Sequence, residues 1–169
     1  MEKKLIMDDL AIQRSLKRIT HEIIEHNKGI DDIILVGIRS RGVYLARRLA
    51  ALIKSFEHAE IPVYALDVSW RDDHKRTQNR SEAIPVQERK VILVDDVLFK
   101  GRTIRAAMDA ITSFGRAREI QLAVLIDRGH RELPIRADYI GKNIPSALHE
   151  QIMVRVEELD HENAVYITS

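Results

Sequence analysis

The stretch Val91-Ile92-Leu93-Val94-Asp95-Asp96-Val97-Leu98-Phe99-Lys100-Gly101-Arg102-Thr103 decides how this chain is read. Its apolar start is a buried strand, and that strand delivers two adjacent carboxylates. A short loop with glycine and threonine follows, and Ile104, Ala107, Met108 and Ile111 then repeat at helical spacing. Backbone N–H groups at the start of such a helix, reinforced by its dipole, make an anion site. Gly101 lets the chain approach a phosphate closely, and the two carboxylates can accept hydrogen bonds from vicinal hydroxyls. A phosphate beside a diol is a ribose 5-phosphate. Solvated acids at a strand end, followed by a helix capped by Thr103, would share parts of this pattern. The complete order of strand, acidic pair, glycine loop and helix favours the ligand site. The glycine and lysine order of a Walker A loop is absent.

Outward from this segment, strand and helix signals alternate. Residues 8–28 read as an amphipathic helix with Ile12, Leu16, Ile19 and Ile23 on one face, Asp8 or Asp9 near the start and Gly29 as the stop. Residues 32–37 are a short apolar run ending in glycine, as in a buried parallel strand. Val43, Ala46, Leu49, Ala50 and Ile53 carry a second helix, and residues 61–68 a second strand. Residues 71–81 are polar and show no periodicity, residues 120–126 form a fourth strand, and short strand-like pieces lie around Tyr139, 152–156 and 165–167. This pattern predicts an α/β fold in one domain over residues 1–169, with an open, mostly parallel sheet flanked by helices. Ligands in such sheets collect at the carboxyl ends of the strands.

Composition narrows the classes. With 169 residues the chain can bury a sizeable core. No apolar run approaches the ~20 residues of a membrane span, and the N-terminus turns acidic at Asp8 and Asp9, too soon for a signal peptide. The absence of cysteine excludes disulfides and thiolate metal sites, so a cytoplasmic location is expected. A net charge of +1 exerts no global pull on nucleic acid, so any such site must come from charge placement. Two placements qualify. Arg14, Lys17, Arg18, His21 and Lys28 point away from the apolar stripe of the first helix, interrupted by Glu25. Arg128, His130, Arg131, Arg136 and Lys142 form a second dense run. Each could be an ordinary solvated face; together they are the footprint of polyanion binding.

The segment 91–103 resembles the phosphate-binding signature of the type I phosphoribosyltransferases. Within them the chain is similar to the PyrR family, because Ile126-Asp127-Arg128-Gly129-His130-Arg131-Glu132-Leu133-Pro134-Ile135-Arg136-Ala137-Asp138-Tyr139-Ile140-Gly141-Lys142-Asn143 is nearly that family's fingerprint. The resemblance runs from about residue 5 to 160. It implies the type I phosphoribosyltransferase fold, with a flexible active-site loop at about 69–84 and a small hood with C-terminal strands at about 128–169. It further implies that Asp95 and Asp96 hold the ribose hydroxyls and that Arg71, opening the active-site loop, serves catalysis. Lys100, Gly101, Arg102 and Thr103 hold the 5-phosphate, and Arg39, Ser40, Arg41 and Gly42 hold the pyrophosphate. Tyr139 and Ile140 would receive the base, although on pattern alone Tyr139 reads more readily as a core aromatic.

The implied reaction is attack of a uracil nitrogen on the anomeric carbon of 5-phosphoribosyl 1-pyrophosphate, through an oxocarbenium-like transition state. Mg²⁺ would enter with the pyrophosphate, with no metal site of the protein's own. The implied role is an RNA-binding attenuator of a pyrimidine operon that senses uridine nucleotides. Lys17, Arg18, His21, Lys28, Arg131, Arg136 and Lys142 would bind an RNA hairpin of the pyr leader, and the chain would assemble as a dimer or tetramer. The alternative is a uracil phosphoribosyltransferase of pyrimidine salvage with an incidental basic face. Three features depart from the family pattern. Lysine stands at 100 where threonine or serine is usual, the stretch between Asp73 and Val91 is short, and Lys17 and His26 replace threonine and arginine. The first two imply a transferase activity that is weak or lost.

Overall fold

The structure, a computed structural model, describes residues 2–69 and 83–169. The expected active-site loop, including Arg71, falls largely outside the described residues. Five parallel strands make the main sheet: β2 (Ile33–Ile38), β3 (Val63–Leu66), β4 (Lys90–Leu98), β5 (Glu119–Asp127) and β6 (Tyr139–Asn143), in the order β3-β2-β4-β5-β6. Every residue of β2 is buried because helices cover both faces of the sheet, which explains its unbroken apolar run.

Helix α1 (Asp9–His26) begins where the Asp8 carboxylate accepts a 2.8 Å hydrogen bond from the Ala11 N–H. With α2 (Arg41–Glu57) it covers one face. There Ile12, Leu16, Ile19 and Ile23 join Leu45, Leu49 and Ile53 over Leu35, Ile92, Val94, Ala123 and Leu125. Helix α3 (Arg102–Phe114) covers the other face, packing Ile104, Ala107 and Ile111 on Ile34, Val36, Leu93, Leu122 and Val124. Each fully buried aliphatic side chain contributes about 1.5–3 kcal/mol, so truncating Ile23 to alanine would cost about 2–5 kcal/mol.

A second sheet is antiparallel, ordered β1-β8-β7, and joins the two ends of the chain. Its strands are β1 (Lys3–Met7), β7 (Gln151–Arg155) and β8 (Ala164–Thr168), and the single-turn α4 (Glu157–Asp160) lies between the last two. Nothing periodic announced β1; it exists because Lys3 to Leu5 pair with Tyr166 to Thr168. Ion pairs fasten this part to α2. Arg41 donates to both carboxylate oxygens of Asp160, at 3.2 and 2.8 Å, and Arg48 donates to both of Glu158 and to Asn163. No helix among the described residues is long and apolar enough to cross a membrane.

Candidate functional site

The chain leaves β2 toward one edge of the sheet and returns through β4 toward the other, so the strand order reverses between two adjacent parallel strands. A ligand crevice belongs at the carboxyl ends of such a pair. Two loops meet there, residues 39–42 from β2 into α2 and residues 99–101 from β4 into α3. The first of them packs backbone to backbone on β4. A Cβ on Gly42 would lie 2.4 Å from the Val94 carbonyl oxygen and 3.2 Å from Asp95 Cα, so only glycine fits. The Arg39–Ser40 peptide is cis.

Neither helix start is capped by a side chain. Ser40 makes no capping hydrogen bond at α2, and Gly101, at φ +95°, makes none at α3. The first N–H groups of both helices therefore have no side-chain acceptor from the cap, and a bound anion could take that place. A cavity of about 180 Å³ opens along residues 97–104.

The acidic pair is asymmetric. Asp95 is 9% exposed, whereas Asp96 is half-buried. Burial, and then the neighbouring Asp96 charge, pushes the Asp95 carboxyl well above the ordinary range. The Asp96 N–H donates to Asp95 Oδ1 at 2.8 Å, and the Val97 N–H donates to Asp96 Oδ1 at 2.7 Å, which fixes both carboxyls at the mouth of the crevice.

The phosphate-type loop is wrapped by the segment that follows β5. Arg131 donates to the carbonyls of Phe99 (2.6 Å) and Ile135 (2.9 Å) and to Asp127 (2.6 Å). The N–H groups of Glu132 and Leu133 donate to the Lys100 carbonyl at 2.9 and 3.3 Å. The Glu132 carboxylate reaches back to Arg102 Nε at 2.8 Å and Lys100 Nζ at 3.5 Å. The Arg102 hydrogen bond, with help from Lys100, holds its carboxyl below the usual range.

Lys100, Gly101, Arg102 and Thr103 line that cavity, Asp95 and Asp96 directly precede its lining on β4, and Gly42 packs on Val94 and Asp95, while Arg39 and Ser40 are exposed. Arg41 does not present a free cation to the crevice. Its guanidinium is paired with Asp160, so Arg39, which has no side-chain partner among the described residues, is the available charge of that loop. Tyr139 is also corrected. It is 2% exposed among the side chains under α1, and its hydroxyl donates to Gln121 at 2.6 Å, so it cannot stack on a base. Burial pushes that phenol to about 12. Ile140 packs instead on the α3 side, with the loop.

Among the basic residues, Lys17, Arg18, His21, Arg136 and Lys142 are exposed. Lys28 lies beyond the end of α1 at φ +54°, not on its helical face. Arg131 is a clamp and not the free surface arginine that the basic run suggests. Arg128 is 6% exposed, stacked 4.0 Å over the Phe99 ring with its hydrogen bonds directed to Ser146 and Ala147. Arg18, though exposed, donates from Nη2 to the carbonyls of Ile140 and Gly141 at 2.8 and 2.6 Å. Sequence reasoning passed over Glu132 and the buried trio Asn27, Gln121 and Tyr139. The Glu132 signal was available as an acid set directly after Arg131 in a basic run. The trio gives none, since its partners are 94 and 112 residues apart.

Residues 5–161 match the model of the phosphoribosyl transferase domain family. The chain is 53% identical to the bifunctional protein PyrR of Ligilactobacillus salivarius over 171 residues, covering 96% of each. It is 54% identical to that of Clostridium novyi, covering 98% of this chain and 97% of the relative. Its fold is that of the hypoxanthine phosphoribosyltransferase of Trypanosoma cruzi, with a TM-score of 0.78 at 17% identity over 97% and 95% of the two chains. The purine phosphoribosyltransferase of Pyrococcus horikoshii superposes with a TM-score of 0.66 at 21% identity over 83% and 87%. A type I phosphoribosyltransferase fold, an acidic pair at its switch point and near-full-length identity above one half place the chain in the PyrR family.

Proposed function

We propose that the chain regulates a pyrimidine biosynthesis operon by transcriptional attenuation, binding an RNA hairpin of the pyr leader under the control of uridine nucleotides. It also acts as a uracil phosphoribosyltransferase on the same site. One observation carries the coupling of the two. Arg18, on the basic face of α1, ends on the main-chain carbonyls of Ile140 and Gly141, and Ile140 is assigned to the base subsite. A ligand that shifts those carbonyls shifts the basic surface.

In the transferase, uracil nitrogen attacks the anomeric carbon while the bond to pyrophosphate breaks. The α3 start with Lys100, Gly101, Arg102 and Thr103 holds the 5-phosphate, while Asp95 and Asp96 take the ribose hydroxyls. Arg39, Ser40 and Gly42 face the pyrophosphate; Ile140 remains in the base subsite, and Arg71, outside the described residues, is assigned to catalysis. Mg²⁺ bound with the pyrophosphate would supply charge neutralisation beside Arg39, Ser40 and Gly42. RNA meets Lys17, Arg18, His21, Lys28, Arg136 and Lys142, and loops or bulges of the hairpin supply unstacked bases. The protein works in the cytoplasm as a dimer or tetramer.

The test is hairpin binding with and without uridine monophosphate. Tighter binding with the nucleotide supports the regulator. Turnover without any hairpin binding would support the salvage enzyme instead.

A further inference from the structure

Glu132 faces the loop at the start of α3, where the 5-phosphate is assigned. Its two oxygens engage the two cations of the loop separately, Arg102 at 2.8 Å and Lys100 at 3.5 Å. The first turn of α3 contains no acid of its own, so Glu132 supplies the negative charge that a helix N-terminus favours. Its main chain is anchored independently, since the Glu132 N–H donates to the Lys100 carbonyl at 2.9 Å. The side chain can therefore leave while the segment stays. It is 41% exposed, so displacement costs little.

Resting on the nucleotide-site reading above, we propose that Glu132 is a resident counter-anion of the phosphate loop, which a phosphoryl group must displace. Glu132 thereby sets the affinity of the site and restricts it to ligands carrying a phosphate strong enough to compete. A free nucleoside makes no claim on Arg102 and Lys100 and leaves the carboxylate in place. The extra cation at position 100 makes the arrangement self-consistent, because without Glu132 two adjacent positive charges would hold weaker anions as well.

The opposite role has the opposite sign. If Glu132 merely positioned Arg102 for the phosphate, removing its charge would weaken binding. Calorimetric titration of the full chain with ribose 5-phosphate separates the two, using the parent, Glu132→Gln and Glu132→Asp. The expected result is that Glu132→Gln binds ribose 5-phosphate about two- to fivefold more tightly, the scale of exposed ion pairs. That gain should shrink as ionic strength rises, and Glu132→Asp should follow the parent. Equal or weaker binding by Glu132→Gln, with an unchanged melting transition, overturns the proposal. Ribose 5-phosphate carries no base, so this outcome is independent of the regulator reading. That reading fails if uridine monophosphate leaves hairpin affinity unchanged in the parent, whatever Glu132→Gln does to ribose 5-phosphate.

Discussion

Arg131 Nη1 lies 2.6 Å from the Phe99 carbonyl oxygen, so a residue of the basic segment holds the loop that opens α3. The same guanidinium pairs with Asp127 at 2.6 Å, and both side chains are mostly covered. Arg131→Ala strands these acceptors together with the Ile135 carbonyl and is expected to cost about 2–3 kcal/mol of stability. Arg136 is exposed, and Arg136→Ala should stay within ~0.5 kcal/mol. If Arg136 meets one phosphate, its loss flattens the slope of log affinity against log salt by about 0.7–0.9. Denaturant unfolding paired with hairpin binding over a salt series distinguishes the two arginines.

Coupling between nucleotide and RNA must be reciprocal. If uridine monophosphate tightens hairpin binding by some factor, commonly ~5–150-fold in coupled systems, the hairpin tightens the nucleotide equally. Titration of nucleotide with and without saturating hairpin reads this directly. Identical affinities in the two titrations would remove the coupling.

Asp95 is a buried carboxyl that the fold prefers protonated. Its folded value lies above the unfolded one, so its contribution is most favourable at low pH and turns into a penalty as pH rises toward the folded value. Asp95→Asn should therefore raise the melting temperature at neutral pH, at about 2–4 °C per kcal/mol for a chain of this size. The same variant should bind uridine monophosphate more weakly and leave nucleotide-free RNA affinity intact. Calorimetric melting at several pH values checks the sign; a lower melting temperature at neutral pH would contradict it.

Asp160 runs the other way. Burial acts upward on its carboxyl, but the Arg41 pair and the Val156 N–H at 2.8 Å hold it below the ordinary range. Its stabilising contribution is present above the unfolded value of about 3.9 and is lost as pH falls through the folded value. Asp160→Asn should cost about 1–3 kcal/mol at neutral pH. The gap to the parent should close in acid, as unfolding free energies measured from neutral pH to below about 4 will show.

Transferase turnover is expected to fall below the ~1–10³ s⁻¹ common among enzymes. Lys100 stands where the family pattern has a small hydroxyl, and its ammonium is directed to Glu132 and away from the backbone cradle. Uracil-dependent pyrophosphate release with Mg²⁺ and 5-phosphoribosyl 1-pyrophosphate, by the parent and Lys100→Thr, is the assay. Recovery in the variant assigns the defect to Lys100; continued inactivity assigns it to the short stretch between Asp73 and Val91.

Elements whose signal is local could be read from the order of residues alone. The α1 stripe of Ile12, Leu16, Ile19 and Ile23 and the apolar run of β2 specify their own burial, because helical and strand periodicities are properties of neighbouring residues. The acidic pair, Gly101 and the uncapped start of α3 are likewise contiguous, so the candidate phosphate site was legible before any contact was known. The fate of the charges and of Tyr139 depended on contacts between distant residues. Arg41 meets Asp160 across 119 residues, Arg128 is buried on Phe99, and Arg131 closes on Phe99 across 32 residues. A run of arginines reads the same whether its members face solvent or clamp a loop, since the difference lies in partners that sequence spacing does not reveal. Tyr139 and Ile140 differ by one position on a strand, and the pairing of Ala123 with Tyr139 puts the ring under α1 and the isoleucine beside α3. Register against a distant strand, not residue type, assigned those two side chains to opposite faces of the sheet.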